Sequence, residues 1–228
     1  MNLDYDGKIA VLDLGDNENR FSPEFLDEFD AHLDEVVGGG AQGLVTTAAG
    51  KFYTNGLDLD WLMAHGDQTQ WYVHRVQGLL ARVLTLPTPT AAALPGHAFG
   101  AGAMLALAHD FRVMRADRGF FCFPEVDIRI PFTPGMAALI QAKLTPQAAV
   151  ASMTTGAGSA GRTPRRSASS TLPRARALSR PPPSSSSGRS KARIPEPWAR
   201  SRTRCTARSS RRSRTPSPSR HTLAGCAV

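Results

Sequence analysis

Residues 95–110 read PGHAFGAGAMLALAHD, and the way this stretch folds sets the reading of the whole chain. Gly96, Gly100 and Gly102 stand ahead of a run of Ala, Leu and Met that forms a helix, closed by Asp110. Glycine at a helix start costs backbone entropy, and the physical return for that cost is close approach of another group to the main chain. A helix N-terminus presents unpaired N–H groups and the positive end of the dipole, so it holds negative charge without a charged side chain. A second glycine-bearing loop, GKFYTNGLDLDWL from Gly50, ends the segment GLVTTA and runs into another helix, with Asp58 or Asp60 as its cap. Two such N–H donors facing one point make an oxyanion hole for a thioester or ester carbonyl. Either loop alone is more often mere close packing.

Outward from these loops, strands alternate with helices. KIAVLDL, QGLVTTA, PTAAAL and FRVMR read as strands. SPEFLDEFDAHLDEVV has Ser22 as N-cap, Pro23 at the first helical position, and Phe25, Leu26, Phe29, Leu33 and Val36 or Val37 on one face. A helix runs from about Gln70 to Leu84 and stops before Pro87, and two more, PGMAALIQAKL and PQAAVASM, each open with proline. This alternation predicts an α/β domain over residues 1–156.

Charge divides the chain at the same place. Residues 1–156 carry 10 Lys and Arg against 18 Asp and Glu; residues 157–228 carry 17 Lys and Arg against the single acid Glu196. The net +8 therefore describes neither part. The second segment has 16 Ser, 16 Arg and 9 Pro but no Phe or Tyr, a composition that cannot bury enough apolar surface to order its backbone. We expect 157–228 to be disordered. It reads as an Arg/Ser segment able to contact nucleic acid through phosphates, as a solvated polar tail, or as a frame-shifted ending of a GC-rich gene. Cys122, Cys205 and Cys226 are too few and too scattered for a disulfide framework or a CxxC metal pair, and His32, His65, His74 and His221 have no metal-ligand spacing, so no metal is expected. With no run of about 18 apolar residues and no basic-then-apolar leader, the expectation is a cytoplasmic protein without a membrane partner. The final GCAV is neither a peroxisomal address nor a prenylation box.

The two loops, in this order and spacing, resemble the crotonase family, also called the enoyl-CoA hydratase/isomerase family, from about residue 5 to residue 155. The family's F-x-x-G-x-D-[LI] pattern is matched by Phe52 through Leu59, and its glycine, small residue, glycine opening a helix that ends in Asp by Gly100, Ala101 and Gly102 through Asp110. RGFFCFPEVDI, residues 118–128, matches the strand and turn that deliver an acid after that helix. The resemblance implies a crotonase-like ββα spiral in which the main-chain N–H groups of Leu57 and Ala101 form the oxyanion hole. It also implies that Thr54, Gly56, Gly100, Gly102 and Met104 line the substrate site and that Glu125 is the catalytic acid or base. The substrate implied is an acyl-CoA thioester, coenzyme A being part of it and no separate cofactor being needed.

One departure bears on the reaction. The second acid that hydratases commonly use falls on Met104. Adding water to a conjugated double bond is helped by two carboxylates, whereas moving a double bond from C3 to C2 needs one base and an enolate site. The resemblance is accordingly closest to the Δ3,Δ2-enoyl-CoA isomerase branch, of fatty acid metabolism, with hydratase, an inactive family member, or RNA binding through the tail as alternatives. Members of the family continue into helices that cover the acyl pocket and pack into trimers. No counterpart is read after Gly156, so the spiral is expected to be C-terminally incomplete and the homotrimer is not expected to carry over. Asp110 reads as a structural acid, and His97 and His109 lack a Ser or Cys partner for a triad.

Overall fold

Three times the chain lays a strand in one sheet, a shorter strand in a second sheet, and then turns into a helix or helical turn. The computed structural model describes residues 1–156 and 158–160. In chain order the elements are β1 (Asn2–Asp6), β2 (Ile9–Asp13), α1 (Pro23–Gly38), β3 (Gly43–Thr47), β4 (Phe52–Thr54), α2 (Leu59–Ala64), α3 (Thr69–Thr85), β5 (Thr90–Leu94), β6 (His97–Phe99), α4 (Ala101–Ala108), β7 (Phe111–Met114), β8 (Phe120–Cys122), α5 (Pro134–Lys143), α6 (Pro146–Thr155) and β9 (Ser159–Ala160). The larger sheet has the order β1-β2-β3-β5-β7 and the smaller β4-β6-β8-β9. All neighbours are parallel except the terminal pairs β1/β2 and β8/β9. The ββα spiral expected from the sequence is present. The expectations for the basic segment lie outside the described residues apart from 158–160, where β9 adds an antiparallel edge to β8.

Each helix forms where its sequence signals place it. Ser22 caps α1 by accepting from the Phe25 amide at 3.2 Å, and α1 buries Leu26, Phe29, Leu33 and Val36. Thr133 and Thr145 cap α5 and α6 in the same way, each followed by proline at the first helical position. Helix α1 is stapled to α3 by Arg82, which reaches Asp30 at 2.7 Å and Asp34 at 2.5 Å, and by Arg75 on Asp27.

Helix α4 is different. All eight of its residues are buried, as expected of a helix apolar on every side. Burying Met104, Leu105 and Leu107 contributes about 1.5–3 kcal/mol each, and this makes α4 the axis of the core. Its far end is fastened to β5 and β3. The Asp110 carboxylate accepts from the Thr90 amide at 2.8 Å and hydroxyl at 3.1 Å, the structural role read from the sequence. His109, fully buried, contacts Leu105 O through Nδ1 at 2.8 Å and Thr46 Oγ1 through Nε2 at 3.0 Å, and Thr46 Oγ1 meets Tyr53 Oη at 2.7 Å. A carbonyl can only accept, so Nδ1 carries the proton, Nε2 accepts from Thr46, and Thr46 accepts from Tyr53. This satisfied polar chain ties β4, β3 and α4 together inside the core.

Five strands, β9 among them, escape the sequence pattern. β1 is mostly exposed, with only Leu3 of its alternating Leu3 and Tyr5 packed on the core, although Gly7, at φ +63°, is the turn signal of the two-residue loop Gly7-Lys8 that joins it to β2. The three-residue strands β4, β6 and β8 are too short for a period of two to show.

Close backbone approach explains two glycines. A Cβ on Gly102 would stand 2.5 Å from Thr54 O, and one on Gly56, which holds φ +79°, would stand 2.6 Å from Phe99 O. By contrast, Gly78 on the exposed side of α3 has nothing within 4 Å of its missing Cβ. Gly102→Ala is therefore expected to lower the unfolding free energy by about 1–3 kcal/mol. Gly78→Ala is expected to raise it by about 0.5–1 kcal/mol. Urea denaturation of both variants beside the parent chain checks the opposite signs.

Candidate active site

The site is assembled where the β4–α2 loop meets the start of α4. A Cβ on Gly56 would lie 3.0 Å from the amide nitrogens of both Ala101 and Gly102, so the loop rests directly on the α4 N-terminus. Gly100, at φ +51°, turns the chain from β6 into α4, and its amide is held by Cys122 O at 3.0 Å. Helix α4 makes its first internal bond from Met104 N to Gly100 O. Among the described residues, no protein acceptor takes the amides of Leu57 or Ala101.

Both flanks of Leu57 are occupied. The Gly56 amide donates to Thr54 Oγ1 at 3.0 Å, Gly56 O accepts from Phe21 N at 2.8 Å, and Asp58 N donates to Tyr72 Oη at 2.8 Å. In a trans peptide the C=O and N–H point in opposite directions. Since Phe21 holds Gly56 O, the Leu57 N–H faces away from Phe21. Asp58 also caps α2, accepting from Trp61 N at 3.2 Å, which settles the choice between Asp58 and Asp60. Asp60 pairs with Arg20 instead.

Glu125 comes to the same place from a third direction. It sits in the helical turn Pro124–Val126 that follows β8, against which α6 packs, and only 7% of it is exposed. Its Oε1 lies 3.1 Å from where a Cβ on Gly100 would be, so the carboxyl is against the mouth of α4. Its Oε2 is buried without a hydrogen-bond partner among the described residues. Burial disfavours the charged form and pushes the carboxyl from its ordinary 4.5 up to about 7, a rise partly opposed by a bond from its own backbone N–H. A carboxyl balanced near neutrality beside free backbone donors can take a proton from a neighbouring carbon and return it.

The other sequence candidates divide by depth. Gly56, Gly100 and Gly102 lie at the junction of the two loops. Thr54 is fully buried, donates to Asn19 O at 2.6 Å and accepts from Gly56 N, so its side chain supports the loop from behind. Met104 is 1% exposed and belongs to the core, offering almost no surface. His109 lies at the opposite end of α4, pushed down to about 4 by burial. His97 Nδ1 accepts from Phe120 N at 3.2 Å on the face of the smaller sheet. Among the described residues, no group of three or more His, Cys, Asp or Glu is placed to hold a metal ion.

Sequence reasoning missed Asn19, Phe21 and Tyr72. The segment Glu18–Phe21 runs beside the loop like a mould: Asn55 N donates to Glu18 O, Asn19 Nδ2 to Tyr53 O, and Phe21 N to Gly56 O. Asn19 adopts φ +51°, a left-handed conformation that asparagine tolerates, but an isolated Asn in a loop gives no warning of this.

A junction of two glycine loops on a ββα spiral, with one buried carboxyl against it, defines the class. A family profile described as enoyl-CoA hydratase/isomerase matches residues 5–161, and the chain belongs to that family. Among its relatives are "Enoyl-CoA delta isomerase 2, peroxisomal" from Arabidopsis thaliana, 39% identical over 156 residues, 64% of this chain and 65% of that protein, and "Enoyl-CoA delta isomerase 3" from the same plant, 38% identical over 149 residues, 62% and 63% of the two. An enoyl-CoA hydratase/isomerase family protein from Pseudomonas syringae superposes with a TM-score of 0.67 at 26% identity, covering 70% of this chain and 69% of that one. A probable enoyl-CoA hydratase from Mycobacterium tuberculosis also gives 0.67, at 24% identity, covering 71% and 69%. The chain spans 61–65% of the length of three plant relatives that it matches.

Glu125 and His109, both buried, give stability opposite pH slopes. Folded Glu125 binds its proton more tightly than the unfolded chain, so its burial costs stability progressively as pH rises from about 4.5 to about 7. Folded His109 binds its proton less tightly, so stability falls as pH drops from about 6.5 to about 4. Glu125→Gln removes only the first slope. The variant is expected to match the parent below pH ~4.5 and to exceed it above pH ~7 by up to about 3 kcal/mol, read from denaturant midpoints across that range.

Proposed function

We propose that this chain binds an acyl-CoA thioester and moves its double bond from C3 to C2. The observation that carries the reading is the Glu125 carboxyl, buried, with Oε2 unpartnered among the described residues, against the Gly100 turn that opens α4. Glu125 as carboxylate takes a proton from C2 of a 3-enoyl thioester. The electron pair left behind moves toward the thioester oxygen, giving a dienolate that the N–H groups of Leu57 and Ala101 stabilise. Glu125 then returns the proton at C4, and the double bond ends between C2 and C3. One base serves both transfers, so a second carboxylate is not needed, in keeping with Met104 at the position of the second acid.

The relatives named enoyl-CoA delta isomerase support this reaction over hydration. The substrate brings its own coenzyme A, and no other cofactor enters the scheme. We place the protein in the cytoplasm on the scattered cysteines of the sequence; two plant relatives named as peroxisomal make that organelle the competing location.

The test follows formation of the conjugated thioester by absorbance, with 3-enoyl-CoA and 2-enoyl-CoA offered side by side to a monodisperse preparation. Conversion of the former without hydration of the latter is the expected result. Glu125→Gln is expected to lower turnover by about 10²–10⁴-fold while substrate still binds. Unchanged turnover would remove Glu125 from the mechanism. Because the base must be ionised, kcat/KM of the parent enzyme should rise with pH, pass half-maximum near the Glu125 value of about 7, and then level off.

A further inference from the structure

We infer that Tyr72 is a positioning residue that sets the direction of the Leu57 N–H, an inference that rests on the proposed oxyanion hole. Tyr72 lies in the first turns of α3, fully buried, and its hydroxyl makes two hydrogen bonds: it accepts from Asp58 N and donates to Phe21 O, both at 2.8 Å. The Phe21 amide in turn donates to Gly56 O at 2.8 Å. These bonds close a ring that runs from Phe21 N–H to Gly56 O, along the backbone through Leu57 to Asp58 N–H, across the Tyr72 hydroxyl, and back to Phe21 O.

The ring holds both peptide planes that flank the α-carbon of Leu57. The plane carrying the Leu57 N–H is fixed at its carbonyl end by Phe21, and the following plane is fixed at its N–H by Tyr72. With both planes anchored, the torsions at Leu57 have little freedom, and its N–H is the one donor of the three amides from Gly56 to Asp58 left for a ligand. Burial pushes the Tyr72 hydroxyl up to about 12, so it stays protonated and able to donate to Phe21 while accepting from Asp58. Helix α3 is itself locked to α1 through Arg75 and Arg82, and the Tyr72 ring is packed 5.1 Å from that of Trp61 at the start of α2, so the hydroxyl has a rigid mount.

Without the hydroxyl, Asp58 N and Phe21 O lose their shared partner, and the plane after Leu57 is free to rotate. An oxyanion donor stabilises the dienolate more than the ground-state thioester, so misdirecting it should be felt in kcat more than in KM. A residue that served stability alone would lower the melting temperature and leave both the catalytic split and the polarisation of a bound carbonyl as they were.

The experiment measures the absorption of bound cinnamoyl-CoA, whose conjugated thioester shifts to the red when its carbonyl is polarised, together with kcat, KM and melting temperature. The parent chain is expected to shift the absorption, and Glu125→Gln to keep that shift. Tyr72→Phe is expected to lose at least half of it, with kcat reduced about 10- to 100-fold and KM changed by less than about twofold. An undiminished shift and unchanged kcat in Tyr72→Phe overturn the role of Tyr72 and leave the oxyanion hole standing. Absence of a shift in the parent chain overturns the hole itself, and the Tyr72 role with it. If Tyr72→Phe does not fold, 3-fluorotyrosine at position 72 keeps the ring and hydroxyl but weakens the oxygen as an acceptor. An intermediate shift then supports the role, and an unaltered one overturns it.

Discussion

Everything at this site depends on two backbones touching without side chains between them. Gly56 rests on the amides of Ala101 and Gly102, and Gly102 rests on the carbonyl of Thr54. Any Cβ at either position would collide with main-chain atoms, which cannot swing aside as the end of a flexible side chain can. The glycines therefore bring one loop against the other, and the amides of their neighbours Leu57 and Ala101 have no protein acceptor among the described residues. The entropy cost of glycine at a helix start is met by this contact.

A contact so close is useful only if it is stiff. The fold supplies stiffness from behind, in layers. Helix α4 is buried along its whole length, and its far end is fastened through Asp110 to Thr90 and through His109 to Thr46 and Tyr53. The opposing loop is held by the Glu18–Phe21 segment, by the Thr54 hydroxyl and by Tyr72. Tyr53 and Thr54 are consecutive residues of β4, one joined to the α4 terminus and the other to the loop. A three-residue strand thus ties the loop at the site to the far, C-terminal end of α4. Such fully satisfied buried networks specify a single arrangement, because each member left without its partner would carry an uncompensated desolvation cost.

Glu125 shows the opposite condition, a buried polar atom without a partner among the described residues. That arrangement is unfavourable for the folded state at neutral pH, and this is the condition under which a carboxyl becomes a competent base near pH 7. Pro124 and the bonds from Asp127 N to Pro124 O and Ile130 N to Glu125 O keep the turn in place despite it. The core histidine and the site carboxylate are both displaced by burial, but in opposite directions, since burial favours the neutral form of each. Of the two, only the carboxyl lies against the Gly100 turn; His109 is at the opposite end of α4.

The amino-acid sequence by itself determined the helices, the parallel strands of the larger sheet and the identity of the two loops. These are local matters: Ser22-Pro23, Thr133-Pro134 and Thr145-Pro146 mark helix starts by chemistry confined to a few residues, and the glycine spacing around Leu57 and Ala101 survives in any reading of the chain. The position of Glu125 was legible only through its resemblance to a family pattern, because a Glu after a proline says nothing of its own burial. Tertiary structure alone decided that Gly56 lands on Ala101, that the Glu125 carboxyl lies against Gly100, and that Asn19, Phe21 and Tyr72 mould the loop. Those contacts join residues 14 to 51 positions apart, and Tyr72 in particular looks in sequence like any other aromatic on the buried face of a helix. Hydrogen bonds between distant segments leave no periodicity behind, so the partners of a backbone amide become visible only when the chain is folded.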